Sequence, residues 1–288
     1  MKHGIYYAYW EKEWRGNYLY YVDKAARLGF DILEIAASPF PEYSKEDIRQ
    51  LRACAKANNI ILTAGHGPAA DCNIASADSS IRAHAIEFYK QIFDVMEQLD
   101  IHTIGGGIYS YWPVDYSKPI DKAGDWKRSV EGVSEMADIA ANHGITLCLE
   151  VLNRFEGYLL NTSEEGTNFV KEVNKENVKV MLDTFHMNIE ETSIGDAIRT
   201  AGKYLGHFHT GECNRLCPGN GRIPWREIHD ALHDIHYDSS IVMEPFVQTG
   251  GTVGSDIKVW REMIPDLSEE KLDEDAKNAL FFQRYMLD

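Results

Sequence analysis

Short apolar runs and longer amphipathic stretches alternate from one end of this chain to the other. HGIYYA is followed by a helical pattern after Asn17, DILEIAA by one after Ser44, and IILTAGH by one around Ser80. IHTIGGG leads into a stretch from Trp126 to Ala141, TLCLEVL into one from Ser163, VKVMLD into one near Ile194, and YLGHFHT into one from Pro224. SIVMEPF and the segment from Ser255 complete an eighth unit. The runs are rich in β-branched and aromatic residues, as strands are, and the stretches between them carry apolar residues at helical spacing. Eight such units in 288 residues, about 36 each, predict an α/β protein of the (β/α)8 TIM-barrel class rather than a doubly wound sheet. One domain over 1–288 is expected, with a C-terminal helical extension over about 264–288 covering the barrel or a neighbouring subunit.

Local signals place the helix ends. Ser44 precedes Lys-Glu-Asp, Thr162 precedes Ser-Glu-Glu, and Pro224 stands where a first helical turn tolerates proline. Gly29 and Gly144 follow two helical patterns, where a left-handed residue ends a helix at least cost.

The same pattern places chemistry. Glu150, Asp183, His209 and Glu244 close the runs TLCLE, VKVMLD, YLGHFH and SIVME, 33, 26 and 35 residues apart. In a barrel the carboxyl ends of the strands meet at one mouth, so four such residues on four successive strands predict one metal site. A lone charge at a strand end is as readily a solvated one, and it is the joint arrangement that carries the reading. Three carboxylates and one imidazole suit Mn²⁺, Co²⁺ or Mg²⁺ better than a thiolate-seeking ion, with zinc still open to the same donors.

The loops beyond these residues are polar. Asn153, Arg154 and Glu156 follow Glu150, His186 follows Asp183, and Arg215 follows His209. Glu156, His186 and Arg215 together offer donors and acceptors to a polyol, although each alone suits a surface ion pair. Tyr6, Trp14, Trp112 and Phe246 add rings near the same mouth, while Tyr7 and Tyr9 are expected to pack beneath it. Gly65 and Gly107, in Gly-His-Gly and Gly-Gly-Gly runs, let backbone approach a ligand. His66 is expected to be a hydrogen-bonded core residue, and Cys213 and Cys217 lack the second cysteine pair of a zinc site.

Composition narrows the partners. A net charge of −16 with no long basic run opposes nucleic acid, and no apolar stretch approaches the length of a membrane span. Five scattered cysteines, an odd number, predict a reducing cytoplasm.

The segments GHGP from Gly65, YSYWPVDY from Tyr109, LEVLNRFEGYLLNT from Leu149, LDTFHMNIEE from Leu182, HTGECNR from His209, GRIPW from Gly221 and MEPF from Met243 resemble the D-tagatose 3-epimerase family of ketose 3-epimerases. The similarity runs from the first strand to about Trp260. It implies a TIM barrel holding Mn²⁺ or Co²⁺ through Glu150, Asp183, His209 and Glu244, with Glu150 and Glu244 as an acid/base pair that inverts carbon 3 of a small-molecule ketohexose through a cis-enediolate. It further implies that Glu156, His186 and Arg215 hold the ketose near O1, O2 and O3, within an apolar wall of Tyr6, Trp14, Trp112 and Phe246 beside Gly65 and Gly107. A homodimer or homotetramer is expected. An aldose–ketose isomerase, a D-tagatose-preferring epimerase, a phosphosugar epimerase, a metal-dependent phosphodiesterase acting on abasic DNA and a non-catalytic sugar-binding module are the alternatives the residues leave open.

Overall fold

The polar residues that precede the amphipathic stretches act as N-caps in a computed structural model that describes residues 1–288. Asn17 opens α1 (Tyr18–Leu28) by accepting from the Tyr20 amide, and Ser44 forms a reciprocal capping box with Asp47 at the start of α2 (Lys45–Ala57). Asp78 caps α3 (Ser79–Leu99), Asp121 caps α4 (Lys122–Asn142) and Thr162 caps α5 (Ser163–Val173). Each side-chain oxygen satisfies an amide that the first helical turn would leave unpaired. The cap at Asp121 starts α4 four residues before the expected Trp126.

Between the helices run β1 (Lys2–Tyr6), β2 (Ile32–Ala36), β3 (Ile61–Gly65), β4 (Thr103–Gly106), β5 (Thr146–Glu150), β6 (Val178–Asp183), β7 (Leu205–Thr210) and β8 (Ser240–Met243). All pairings are parallel and in sequence order, and β8 returns to β1, which closes the barrel. α6 (Thr184–Glu190) and α7 (Ile194–Ala201) follow β6, and α8 (Trp225–Asp234) follows β7. No helix is long and apolar enough to cross a membrane.

Packing inside the barrel depends on two glycines of β4. A Cβ on Gly105 would lie 2.5 Å from the Met181 sulfur, so its absence admits Met181 to the barrel centre beside His207. Gly106 has a φ of +112°, and a Cβ there would fall 2.3 Å from the His66 carbonyl oxygen. Both glycines sit directly under the mouth.

The eighth unit differs from expectation. The segment around Ser255 forms only the short α9 (Gly251–Ile257), which lies against the β1–α1 loop: Val253 N–H donates to the Lys12 carbonyl and Thr252 Oγ1 to Glu13. The stretch expected as an extension holds α10 (Glu269–Leu287), which packs against α8 and α1 and so occupies the eighth place in the outer ring. Lys24 of α1 fixes it there, buried and 2.6 and 2.9 Å from Glu269 and Asp273.

Candidate active site

Side chains two residues apart on a strand share a face, so Met181 and Asp183 of β6, and His207 and His209 of β7, form successive layers inside the barrel. In the upper layer Glu150, Asp183, His209 and Glu244 each bring one ligand atom to a common point, all within 4.8 Å of one another. Glu150, Asp183 and His209 are buried, and Glu244 nearly so. Cys213 and Cys217 belong to no such cluster and carry free thiols.

The chemistry of this donor set fits a divalent cation. His209 Nδ1 is buried without a hydrogen-bond partner, 3.9 Å from an Asp183 oxygen and 3.7 Å from a Glu244 oxygen. Burial first, and then the negative charge of Glu244, push the Glu150 carboxyl well above the usual carboxylate range. Burial would lower His209, but Glu34 and Glu244 outweigh it and hold the imidazole well above its ordinary value. A carboxyl driven toward neutrality by its crowded acidic neighbour, beside an unpartnered imidazole nitrogen, is what a cluster able to share a cation presents.

Around the cluster the three expected polar residues converge. Arg215, 5% exposed, lies 3.0 Å from both Glu156 oxygens and 3.1 Å from Glu244, with its guanidinium 3.9 Å from the Phe185 ring centroid. Burial opposes ionisation of Glu156, yet Arg215 and His186 carry its carboxyl below the usual value. His186 Nδ1 faces the Asn153 backbone amide at 3.2 Å and its side-chain amide at 2.7 Å. Both of those groups are donors, so Nδ1 accepts and the proton of the neutral ring sits on Nε2, 3.6 Å from Glu150. Asn153 also donates to Glu156 at 3.0 Å, so one amide aligns two residues of the site.

The aromatic residues complete a concave wall. Tyr6, Trp14, Trp112 and Phe246 line the same pocket as the cluster, with Trp14 5.7 Å from Trp112 and 6.1 Å from Phe246 between ring centroids. Asp256 of α9 accepts from the Trp14 indole at 2.8 Å, which holds the ring over the mouth. Gly65 and Gly107 lie at the lining, and a Cβ on Gly65 would come within 3.3 Å of the Tyr6 ring. Tyr7 and Tyr9 pack below, 0% and 1% exposed. His66 is buried with Nδ1 3.2 Å from Ser38, but its Nε2 has no partner, so it is only partly the hydrogen-bonded core residue expected.

Two residues of this region escaped the sequence reading. Glu34 of β2 is fully buried and faces His207 Nε2 at 2.8 Å and His209 Nε2 at 2.6 Å. Burial resists its ionisation, but the two imidazoles, His209 foremost, hold its carboxyl far below the usual range. His207 lies one layer beneath His209, and its place on the inward face follows from the period of the strand.

A family model described as the xylose isomerase-like TIM barrel matches residues 22–265. The D-psicose 3-epimerase of Ruminiclostridium cellulolyticum is 62% identical to this chain over 100% of its length and 98% of the relative's. A crystal structure of D-psicose 3-epimerase with D-tagatose from Clostridium cellulolyticum H10 superposes with a TM-score of 0.99 at 62% identity, covering 100% of both chains. Another D-psicose 3-epimerase, crystallised in the presence of D-fructose, gives a TM-score of 0.99 at 58% identity over 100% of this chain and 99% of its own.

Proposed function

The chain belongs to the xylose isomerase-like TIM barrel family, and we propose that it is an isomerase inverting carbon 3 of a ketohexose, interconverting D-psicose (D-allulose) and D-fructose. The observation that carries this reading is the pair Glu150 and Glu244, two carboxylates at the ends of β5 and β8 whose oxygens meet around one point.

Glu150, Asp183, His209 and Glu244 would hold a divalent ion, Mn²⁺ by preference, with Co²⁺ or Mg²⁺ able to replace it. Such an ion supplies Lewis acidity to the ketose carbonyl, which a carboxylate base needs before it can take a C3 proton. The chain's own residues do the rest. One glutamate removes the proton from C3 and the other returns a proton to the opposite face of the planar enediolate, and their roles exchange with the direction of reaction. His186, with its proton on Nε2, donates to a sugar oxygen near Glu150. Arg215 and Glu156 offer a donor fork and an acceptor to the hydroxyls at the same end, and Tyr6, Trp14, Trp112 and Phe246 exclude water around the remaining carbons. No hydride acceptor or phosphate enters this scheme.

Five free thiols support a cytoplasmic setting, and Phe281 and Tyr285, 75% and 86% exposed on α10, support a homodimer or homotetramer.

The test is product analysis together with isotope exchange. Metal-loaded protein given D-fructose should form D-psicose, and formation of an aldose alone would replace the reading by an aldose–ketose isomerase. Glu150→Gln and Glu244→Gln should each lose epimerisation by orders of magnitude, because an amide cannot carry the proton. Each variant should still exchange C3 hydrogen with deuterated water from the one epimer that its remaining base faces. Near-normal interconversion by either variant would refute the two-base scheme.

A further inference from the structure

A carboxylate beneath the cluster is none of its four members but faces one of them, His209, from behind. Glu34 stands on β2, in register with Thr63 of β3, and its Oε2 accepts from Thr63 Oγ1 at 2.8 Å. The same oxygen faces His207 Nε2 at 2.8 Å, while Oε1 faces His209 Nε2 at 2.6 Å. These are hydrogen-bond separations. An ion bound between nitrogen and carboxylate, each at about 2.0 to 2.2 Å, would hold those atoms near 3 Å or more apart. The trio Glu34, His207 and His209 is therefore a hydrogen-bonded support rather than a second cation site.

We infer that Glu34 is a positioning residue that fixes the tautomer and ring orientation of His209, so that the bare nitrogen Nδ1 points at the metal. This rests on the reading of Glu150, Asp183, His209 and Glu244 as metal ligands. An ionised carboxylate only accepts, so His209 Nε2 must carry a proton, and a neutral imidazole with its proton there has its lone pair on Nδ1. Nδ1 is the atom that is buried, unpartnered and directed at the Asp183 and Glu244 oxygens. Were the proton on Nδ1 instead, the ring would present a hydrogen where the cation must bind. The negative charge behind the ring also strengthens the imidazole as a ligand, and supporting carboxylates of this kind typically contribute 10- to 100-fold to metal affinity.

The test compares chelator-stripped wild type with Glu34→Gln, whose amide can accept from one imidazole but must donate to the other. Titration with Mn²⁺ by calorimetry should give a dissociation constant about 10- to 100-fold larger for the variant. Thr63→Val, which removes only the hydroxyl donor, should bind within about threefold of wild type. A second readout compares the two proteins with Mg²⁺ by NMR of their ¹⁵N-labelled histidines: in wild type His209 should be protonated at Nε2, with that proton strongly deshielded by its carboxylate acceptor, and in Glu34→Gln the deshielding should be lost, a change that a merely space-filling role would not produce. Glu34→Gln with wild-type Mn²⁺ affinity, or a wild-type His209 protonated at Nδ1, overturns the inference. Wild type that binds no divalent ion would overturn the metal reading itself.

Discussion

Arg215→Ala tests the electrostatic organisation of the pocket directly. The guanidinium stands between Glu156 and Glu244 at 3.0 and 3.1 Å and is almost wholly buried, so its removal leaves two carboxylates without their cation. Breaking a buried pair in this way costs about 3 to 5 kcal/mol. Unfolding entropy runs at about 2 cal/mol/K per residue, so for a chain of 288 residues that loss lowers the melting temperature by about 5 to 8 °C. Measured on chelator-stripped protein, the loss should also depend on pH. In the wild type the Glu156 carboxyl sits below its ordinary value of 4.5, so its contribution to stability is complete above pH 4.5 and fades as pH falls through the folded value. Without Arg215, burial, already the largest influence on Glu156, is opposed only by His186 and Asn153 and should lift the folded value above the unfolded one. The penalty in the variant is then largest near neutrality and is relieved as that carboxyl takes up its proton. The stability gap between the two proteins should therefore narrow as pH is lowered from 7 toward 4. Urea unfolding at several pH values reads it. A gap below about 1 kcal/mol, or one constant across that range, would refute the argument that Arg215 compensates buried charge.

Stripping the protein with a chelator should abolish epimerisation and lower the melting temperature, and Mn²⁺ or Co²⁺ at about a thousandfold over its dissociation constant should restore about 4 kcal/mol; full activity in metal-free protein would refute the site. Glu156→Ala should depress ketose turnover strongly while calorimetry still finds the metal bound, because Glu156 bonds Arg215 and Asn153 and belongs to no ligand cluster. His66, lowered to about 4 by burial, cannot take up the proton that the unfolded chain accepts near 6.5, so stability held above pH 6.5 should be lost between 6.5 and 4, by about 3 kcal/mol; His66→Gln should flatten that dependence in urea titrations. Gly106→Ala forces a side chain onto a φ of +112° and against the His66 carbonyl, and should cost about 3 kcal/mol or more in the same assay.

What could be read without coordinates was what the chain specifies locally. Strand and helix periods, caps such as Ser44 and Thr162, and the left-handed glycine at 29 are settled within a few residues, and eight repeats of them fit a barrel better than a doubly wound sheet. The eighth unit was harder because two segments compete for it. Gly250 and Gly251, with φ of +82° and +64°, start a helix too short to span the barrel, and the longer amphipathic stretch after Ser268 takes the place beside α8. The register shift between Val180 and Met181 on β6 leaves no mark in the hydrophobic pattern, since both residues are apolar.

Within the site, legibility ended where chemistry depends on residues far apart in the chain. Glu150, Asp183, His209 and Glu244 were visible because a strand end is a local feature and the barrel turns four of them toward one point. Glu34 is one of two acids within DILEIAA, and its partners lie 173 and 175 residues away, so nothing near it announces that it is buried and paired. Protonation is hidden more deeply still. His186 and His209 are the same residue type at the same mouth, but Asn153 faces Nδ1 of the first, which leaves its proton on Nε2 for the proposed donation to substrate, and Glu34 faces Nε2 of the second, which leaves Nδ1 for the proposed ligation. A histidine's role follows from whatever faces its other nitrogen, and in both cases that neighbour is brought there by closure of the barrel rather than by proximity in sequence.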